Sequence, residues 1–297
     1  MTADSGHAER FTVLRPLLFT IAYEILGSAT DADDALQESY LRWASVDLST
    51  VRDTKAYLAK LVTRQALNSL RSRVRRREDY IGPWLPEPLL LDDRDGATDA
   101  VLAESVSMAM LVVLETLTPD ERAVFVLREV FGFSHDDVAA AIGKSAVAVR
   151  QLAHRARRHV HARRRRVDPV DASKSERITT EFLIAAATGD LNGLMAMLAP
   201  DVVFTADSDG KVSAARRPVI GAEKVGRLLI GLMGRAGPGY RLEVTTYNGA
   251  PAVIVFSDGQ PDGVFTIEVA GGRITNFYVI RNPEKLASVT VARRISR

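Results

Sequence analysis

The chain has 297 residues, of which 46% are hydrophobic, and this length allows two or three domains with apolar cores. It has no cysteine, which excludes disulfide bonds, thiol catalysis and thiolate metal sites. Its apolar runs fall short of the roughly 18 to 20 residues of a membrane span, and the amino terminus lacks the apolar segment of a signal peptide. We therefore expect a cytoplasmic protein with no membrane contact. The net charge of +2 conceals a strong basic excess in the middle of the chain.

Residues 1–78 are predicted to form an all-helical domain. An apolar stripe along Phe11–Ile25 ends at Gly27, and Thr30 with Asp33 predicts a capping box at the start of a second helix. Acidic and amide side chains lie on the other face of that second helix. They either contact a basic partner or simply favour the positive end of the helix.

A third helix is predicted from Tyr57 to Val74, and its second half is basic. A surface that opens a DNA duplex needs cations for the backbone and places that hold unpaired bases. The helix offers many arginines but few aromatic residues, and Tyr57 is more typical of core packing than of a base-stacking platform. The polar residues of this surface are Arg64, Asn68, Arg71, Arg73, Arg75, Arg76 and Arg77.

Residues 79–105 are predicted to be a linker. Three prolines between Pro83 and Pro88 exclude a regular helix there. Trp84 and Leu85 are too apolar for a purely flexible tether. The segment therefore either docks on another part of the chain or forms an ordinary turn over a local core.

The next segment carries the start and stop signals of a helix-turn-helix. Thr118–Glu121 is a capping box with proline at the first helical position, and Gly132 ends this helix after about three turns. Ser134 caps a shorter helix, which Gly143 can end in the left-handed conformation. Ser145 then opens the third helix.

That third helix, within a predicted domain of residues 106–166, is apolar on one face and cationic on the other. From Lys144 to Arg166 nine residues are basic and none is acidic. Arg, Gln and Asn contact base edges in the major groove, and Arg and Lys bind phosphates. The alternative is a solvated helix followed by a disordered basic tail. The residues of this candidate DNA surface are Ser145, Arg150, Gln151, His154, Arg155 and Arg158.

After a second linker at residues 167–174, residues 175–297 predict an α+β domain in which helices precede an antiparallel sheet. Turn formers such as Asn248–Gly249 separate segments that alternate like strands. The predicted helices begin near Ile178, Leu191 and Glu223, and the predicted strands are Val202–Ala206, Arg241–Tyr247, Ala252–Ser257, Gly263–Val269 and Arg273–Ile280.

Together these segments resemble the extracytoplasmic-function class of bacterial RNA polymerase sigma factors, in the subgroup that carries a fused SnoaL-like domain. Ala22–Ser28 followed by Asp31–Glu38 resembles region 2 of such factors. Leu58–Arg77 is similar to the part that opens and reads the −10 promoter element. Leu117–His161 is similar to region 4, which reads the −35 element, and Trp84–Pro88 resembles a linker signature of the subgroup.

The resemblance implies partners and site residues. It implies binding to core RNA polymerase, through the β′ clamp and the β flap, and binding to promoter DNA, with no cofactor. It assigns the basic surface of the third helix to the −10 element and the surface of the helix-turn-helix to the −35 element. The polymerase-binding residues that it implies are Asp31, Asp34, Gln37 and Glu38.

The C-terminal part is similar to the subgroup's cone-shaped domain, of the nuclear-transport-factor-2 (NTF2) and ketosteroid-isomerase superfamily. Asn282–Leu286 resembles a near-terminal motif of that domain, with Glu284 where aspartate is usual. Asp207–Lys211 resembles a glycine-richer loop motif, from which Ser208 and Asp209 depart. The resemblance implies that this domain controls the sigma domains in cis, in place of a separate anti-sigma protein. The interdomain regulatory residues that it implies are Trp84, Leu85, Pro86, Asp207, Lys211, Asn282, Pro283 and Lys285.

Catalysis by the C-terminal domain is not expected. All five histidines precede residue 175, so this domain has no His acid, base or metal ligand, and the chain is predicted to have no metal site. Loop aspartates such as Asp207 more often cap turns, and strand tyrosines more often fill a barrel. A cone lined by phenylalanines offers room for a small apolar ligand, the alternative being a purely regulatory protein surface. The lining residues expected are Phe204, Phe256, Phe265 and Phe277 or Tyr278.

Two other classes of function stay open at this point. A free-standing ligand-controlled transcription regulator would share the helix-turn-helix and the sensor domain but would not need the helix of Asp34 and Gln37. A bifunctional isomerase or cyclase would need a closed pocket with a base of raised pKa. The final residues, Ala287–Arg297, are interpreted most simply as a basic frayed tail.

Overall fold

The computed structural model describes residues 3–76, 79–92, 100–163, 172–235 and 237–297. As predicted, helices come first and an α+β domain follows. Among the described residues, every helix is too short or too polar to span a bilayer. The helices are α1 Ala3–Leu26, α2 Ala29–Trp43, α3 Thr54–Arg76, α4 Ala100–Ser105, α5 Met108–Leu114, α6 Pro119–Phe125, α7 His135–Ile142, α8 Ala146–Arg163, α9 Ala172–Thr188, α10 Leu191–Met197, α11 Ala222–Met233 and α12 Pro283–Leu286. The strands are β1 Leu198–Asp207, β2 Val219–Ile220, β3 Tyr240–Tyr247, β4 Ala250–Ser257, β5 Gln260–Ala270 and β6 Arg273–Ile280.

The start of α2 differs from the prediction. Ser28, rather than Thr30, is the N-cap, and its hydroxyl oxygen accepts a hydrogen bond from the Asp31 backbone N–H. The Thr30 N–H instead donates to Glu87, at 3.0 Å. The predicted capping box of Thr30 and Asp33 was therefore wrong, because a distant carboxylate takes up the exposed amide.

The helix-turn-helix has the predicted caps. The reciprocal hydrogen bonds of a capping box are present at Thr118 with Glu121 and at Ser134 with Asp137. Gly143 ends α7 with φ of 71°, in the left-handed region that a side chain disfavours. After α6 the helix continues as one π-helical turn, Val126–Val130.

Two short helices, α4 and α5, were not predicted. The first lies inside the segment expected to be a linker, and both carry buried apolar side chains, for example Leu102 and Leu111. These residues join the apolar core of α1, α2 and α3 to that of α6, α7 and α8. The two helical domains therefore share one continuous core.

The C-terminal sheet has six strands in the order β2-β1-β6-β5-β4-β3. The β1 and β6 strands are parallel, and the other neighbours are antiparallel. The helices α9, α10 and α11 pack on one face, together with Phe204 and Phe277. The opposite face packs against the linker residue Leu85 and against Met108 of α5.

Alternation along the strands decides which aromatic residues reach which face. Phe204 and Phe265 line a cavity beneath the helices, as predicted, and Phe277 lies in the core beside it. Phe256 and Tyr278 belong to the opposite face, which covers the helical domains. The prediction that Phe256 lines the cone was wrong, because Phe256 follows the cavity-lining Val255 by one position along β4 and so points to the other face. Of the two alternatives Phe277 and Tyr278, Phe277 is the one on the cavity side.

Candidate functional site

The polar face of α2 lies largely open to solvent. Asp34, Gln37 and Glu38 are exposed and share one side of the helix, since residues three and four apart are neighbours. Asp31 instead forms an ion pair with Arg73 of α3, at 3.1 Å. Of the four predicted polymerase-binding residues, three thus form an accessible patch, and the fourth ties α2 to α3.

The basic surface of α3 is turned toward the helix-turn-helix domain. The Arg64 guanidinium donates to the backbone carbonyls of Ala140 and Ala141 at the end of α7, at 2.9 and 3.2 Å. Arg71 forms an ion pair with Asp120 of α6, at 2.7 Å. Two predicted −10 residues are therefore engaged within the chain.

A third predicted −10 residue, Arg73, lies at the linker. Its guanidinium donates to the Leu26 carbonyl and stacks over the Trp84 ring at 4.7 Å from the ring centroid. Asn68 is exposed on α3. The side chains of Arg75 and Arg76, and residue 77, lie outside the described part of the chain.

The surface predicted to read the −35 element is open. Arg150, Gln151, His154 and Arg158 are exposed on the outer side of α8. Ser145 caps the helix by accepting a hydrogen bond from the Ala148 N–H, at 3.2 Å. Arg155 pairs with Glu121 at 3.1 Å, and such ion pairs at the surface contribute little to stability.

A buried arginine joins the two helical domains. Arg122 of α6 donates to the Glu24 carbonyl of α1 at 2.7 Å and pairs with Glu115. The Glu24 carboxyl accepts a hydrogen bond from Ser105 at 2.6 Å. Burial raises the pKa of Glu24 to about 8, against the opposing effects of Ser105 and Arg122.

The linker segment Trp84–Leu89 docks between the helical domains and the C-terminal domain. Residues 85–89 are buried, and Trp84 is half-buried. The Glu87 carboxylate accepts hydrogen bonds from the Ser28 hydroxyl, at 2.8 Å, and from the Thr30 N–H. The Glu87 carbonyl accepts one from the Tyr23 hydroxyl, also at 2.8 Å. Of the two interpretations left open by the sequence, docking is the one observed.

Asn248 fastens three parts of the chain to one another. Its amide NH₂ donates to the Tyr23 hydroxyl at 2.7 Å and to the Val106 carbonyl at 2.8 Å, and its carbonyl oxygen accepts from the Leu89 N–H at 2.9 Å. Asn248 is buried, so these bonds satisfy its polar atoms away from water. The β3-β4 turn thereby contacts α1, the linker and the end of α4.

The second fastening is a buried ion pair, which we call the Lys285–Asp207 junction. Lys285 donates to Asp207 at 2.6 Å and to the Leu85 carbonyl, and its ammonium lies 3.7 Å from the centroid of the Trp84 ring. Asp207 also accepts hydrogen bonds from the Leu85 N–H, at 2.7 Å, and from the Tyr80 hydroxyl. Asp207 and Lys285 of the C-terminal domain thus bind the backbone N–H and the backbone carbonyl of the linker residue Leu85.

The electrostatics of this junction follow from its burial. Burial lowers the pKa of Lys285 to about 8, although the neighbouring Asp207 carboxylate acts to raise it. Burial, with the same carboxylate beside it, raises the pKa of Tyr80 well above its usual range. Tyr80 therefore stays protonated, and its hydroxyl donates a hydrogen bond to Asp207, while the Asn282 amide donates one to the Tyr80 oxygen at 3.0 Å.

Two predicted interdomain residues lie apart from this junction. Lys211 is exposed and pairs with Glu284 and Asp209, at 2.7 and 3.3 Å, inside the C-terminal domain. Pro283 is exposed at the first position of α12. The structure brings the other six together, Trp84, Leu85, Pro86, Asp207, Asn282 and Lys285, around the linker.

The C-terminal tail is not frayed, contrary to the simplest interpretation of its sequence. The Arg293 backbone exchanges hydrogen bonds with the linker, donating to the Leu90 carbonyl at 2.8 Å and accepting from the Asp92 N–H at 3.0 Å. The Arg293 side chain pairs with Asp33 of α2 at 2.8 Å. Ser296 donates its N–H to Thr20, at 3.2 Å. The tail thus lies against α1 and α2, beside the predicted polymerase-binding patch.

Several residues of the interdomain contact carried no predictive signal. Asn248 was recognised only as a turn residue, and its φ of 54° fits that role. Glu87 was included only as part of the linker motif Trp84–Pro88. Tyr23 and Arg122 lie in predicted helices, and no interdomain contact was predicted for them. Each acts through a partner more than 60 residues away.

Comparison with known proteins finds two sigma-factor regions in this chain and several similar proteins. Residues 11–76 match the family model for Sigma-70 region 2, and residues 107–160 match that for Sigma-70, region 4. The ECF RNA polymerase sigma factor SigJ of Mycobacterium tuberculosis is 38% identical, over 96% of this chain and 94% of that protein. The crystal structure of the Mycobacterium tuberculosis extracytoplasmic function sigma factor SigJ matches with a TM-score of 0.75 at 34% identity, covering 96% of this chain and 99% of that chain. An NTF2-like protein of Cytophaga hutchinsonii matches the C-terminal part with a TM-score of 0.26 at 14% identity, covering 37% of this chain and 90% of that chain.

Proposed function

This chain belongs to the extracytoplasmic-function (ECF) RNA polymerase sigma factors, and from that membership we propose how its surfaces divide the work of transcription initiation. The patch of Asp34, Gln37 and Glu38 on α2 binds the clamp of core RNA polymerase, with Asp31 at its edge. The outer side of α8 reads the −35 element. The basic side of α3 reads and helps to open the −10 element. The exposure of the first two surfaces supports this assignment.

We further propose that the C-terminal domain holds the sigma domains in a closed arrangement. In this arrangement Arg64 and Arg71 of α3 bind α7 and α6, so they are not available to DNA. The observation that carries the proposal is the burial of residues 85–89 between α1 and the C-terminal domain, fastened by Lys285, Asp207 and Asn248. A tethered domain meets its target at roughly millimolar effective concentration, so moderate contacts suffice to keep it docked.

Opening is therefore the step at which this chain is controlled. The tail contact of Arg293 with Asp33 supports control at the polymerase-binding side, because a polymerase that approaches α2 meets the tail there. In this proposal the C-terminal domain acts as a binding module, and the bond-making step belongs to the polymerase.

Promoter-dependent transcription tests the assignment to initiation. Core polymerase with the full chain is expected to start transcripts at defined positions on a library of DNA templates, and core polymerase alone is not. Tight duplex binding by the chain without any initiation would instead favour a free-standing transcription regulator.

A reversible cross-link tests the closed arrangement. Since the chain has no cysteine, Arg71→Cys with Asp120→Cys introduces the only thiol pair, at positions whose native side chains are in contact. Joining them with a disulfide-containing bismaleimide is expected to abolish initiation, and reduction of the linker is expected to restore it. The single variant Asp120→Cys, treated in the same way, is the control. Full initiation by the cross-linked chain would overturn the proposal that α3 must leave α6.

A further inference from the structure

The C-terminal domain encloses a cavity of about 380 Å³ between α9, α11 and the inner face of the sheet. That volume falls within the range of small-molecule sites. Its walls are mainly apolar and include Phe182, Ala186, Phe204, Leu229 and Phe265. Side chains around such a void lack packing partners on one side, and a bound apolar group restores those dispersion contacts.

The cavity also has a few polar and charged residues in its lining. Arg281 donates to both carboxylate oxygens of Asp262, at 2.8 and 2.7 Å, and to the Ser213 carbonyl at 2.6 Å. The paired Arg281 and Asp262 are neutral as a unit, so Arg235 gives the lining a net positive charge. The exposed residues of the lining are Ser213, Arg235, Tyr240 and Leu242, and they mark where the cavity meets solvent.

We propose that this cavity binds a small apolar carboxylic acid, with the hydrocarbon body among the aromatic and aliphatic walls and the carboxylate at the rim near Arg235. At roughly 30 Å³ for each non-hydrogen atom, the volume holds on the order of a dozen such atoms. The site binds this acid without converting it. Asp262 is the one carboxylate among the lining residues, and Arg281 already holds both of its oxygens.

The site is joined to the Lys285–Asp207 junction by two strand ends. On β1, Ala206 lines the cavity and the next residue, Asp207, holds Leu85. After β6, Arg281 lines the cavity and the next residue, Asn282, donates to Tyr80. The Arg281 N–H also donates to the Asp207 carbonyl at 2.7 Å, which fixes the two ends to each other. A ligand that displaces the end of β1 or of β6 therefore also displaces Asp207 or Asn282, which hydrogen-bond to the linker. This step rests on the proposed control of the sigma domains by the C-terminal domain.

Titration calorimetry with decanoate and the full chain, without polymerase, tests the site independently of transcription. Decanoate has the size and the charge that the cavity requires, and decanol offers the same chain without the charge. We expect saturable binding of decanoate and binding of decanol weakened by at least about fivefold, since the carboxylate interacts with Arg235. Absence of decanoate binding would overturn the site, and equal binding of the two would overturn the role of the charge.

Paired substitutions on α9 locate the binding. Ala186 lines the cavity, whereas Ala187 is exposed on the same helix. Ala186→Leu is expected to weaken decanoate binding by about tenfold or more, because the added carbons fill the cavity, and Ala187→Leu is expected to leave it unchanged. Arg235→Ala, at an exposed position, checks the rim should Ala186→Leu impair folding, and it is expected to remove the preference for decanoate over decanol. Equal affinities of the Ala186 and Ala187 variants would place the ligand elsewhere.

Tryptophan fluorescence reports the coupling separately. The chain has two tryptophans, and Trp84 contacts Lys285 at the junction. With Trp43→Phe removing the other signal, saturating decanoate is expected to shift the Trp84 emission, and Ala186→Leu is expected to abolish that shift. Binding by calorimetry without any change at Trp84 would leave the site standing and would overturn its coupling to the linker.

Discussion

The two surfaces predicted to read DNA differ in their contacts with the rest of the chain: that of α8 is exposed, whereas that of α3 is largely engaged. On α8, Gln151, His154 and Arg158 are exposed, and the acidic partner of Arg155 is a weak exposed contact. On α3, Arg64 and Arg71 bind the helix-turn-helix domain, and Arg73 is held by Leu26, Asp31 and Trp84. Under the proposed assignment, this asymmetry leads us to expect that the surface of α8 reaches DNA before that of α3. We expect the chain to recognise upstream DNA first and to open the downstream element only after rearranging.

The largest effect is expected at the Lys285–Asp207 junction, which we propose holds α3 in the closed arrangement. Lys285→Met keeps the aliphatic length but leaves Asp207 as an uncompensated buried charge, which costs about 3–5 kcal/mol of stability. Hydrogen exchange is expected to quicken along α3 and the linker while α8 stays unchanged. Adding Asp207→Asn is expected to recover part of the loss, because the buried charge is then gone. A uniform increase in exchange across both helices would show that the junction does not distinguish them.

The next effect is a pH dependence from Glu24, in the layer that joins α1 to α6. A carboxyl with an ordinary pKa of 4.5 and a folded-state pKa of about 8 stays protonated in the folded chain, while the unfolded chain releases its proton. Its contribution to stability is complete below pH 4.5 and is lost as pH rises toward 8, by at most about 1.4 kcal/mol for each pH unit. Glu24→Gln is expected to reduce the fall in the free energy of unfolding between pH 5.5 and 7.5 by about 1–2 kcal/mol, as measured by urea denaturation at each pH. The same fall in wild type and variant would assign the effect to another group.

The third effect tests the asymmetry directly. Arg158→Ala on α8 is expected to weaken binding of the free chain to mixed-sequence duplex DNA by about 1–2 kcal/mol, with a salt dependence lower by roughly one phosphate contact. Arg71→Ala on α3 is expected to leave both quantities unchanged, since Arg71 already binds Asp120. Fluorescence anisotropy across a salt series measures both. Equal losses in the two variants would mean that α3 also contacts DNA in the free chain.

The features that could be predicted from the sequence depend on local contacts, and those that could not depend on partners far apart in the chain. The caps of the helix-turn-helix were predictable, because Thr118 and Ser134 find their partners three residues away. The cap of α2 was not, because Glu87 takes the Thr30 amide from 57 residues away. The exposed face of α8 follows from helical periodicity alone. The engagement of α3 depends on Asp120 and on the α7 carbonyls, and side-chain spacing within one helix does not specify such partners.

The smallest effect concerns Asp120, whose carboxylate pairs with Arg71 of α3 and with a lysine of the helix-turn-helix domain. Asp120 binds both Arg71 and Lys144, at 2.7 and 3.0 Å, and exposed pairs of this kind contribute about 0–1 kcal/mol each. Asp120→Asn is expected to change the melting temperature little but to release two cations, and binding to duplex DNA at low salt is expected to tighten about twofold to threefold. Asp136→Asn is the matched control, because it removes the same charge from an exposed position on α7. An equal gain in both variants would assign the effect to net charge, whereas a gain confined to Asp120→Asn would show that Asp120 holds back DNA-binding cations of its own chain, Arg71 or Lys144.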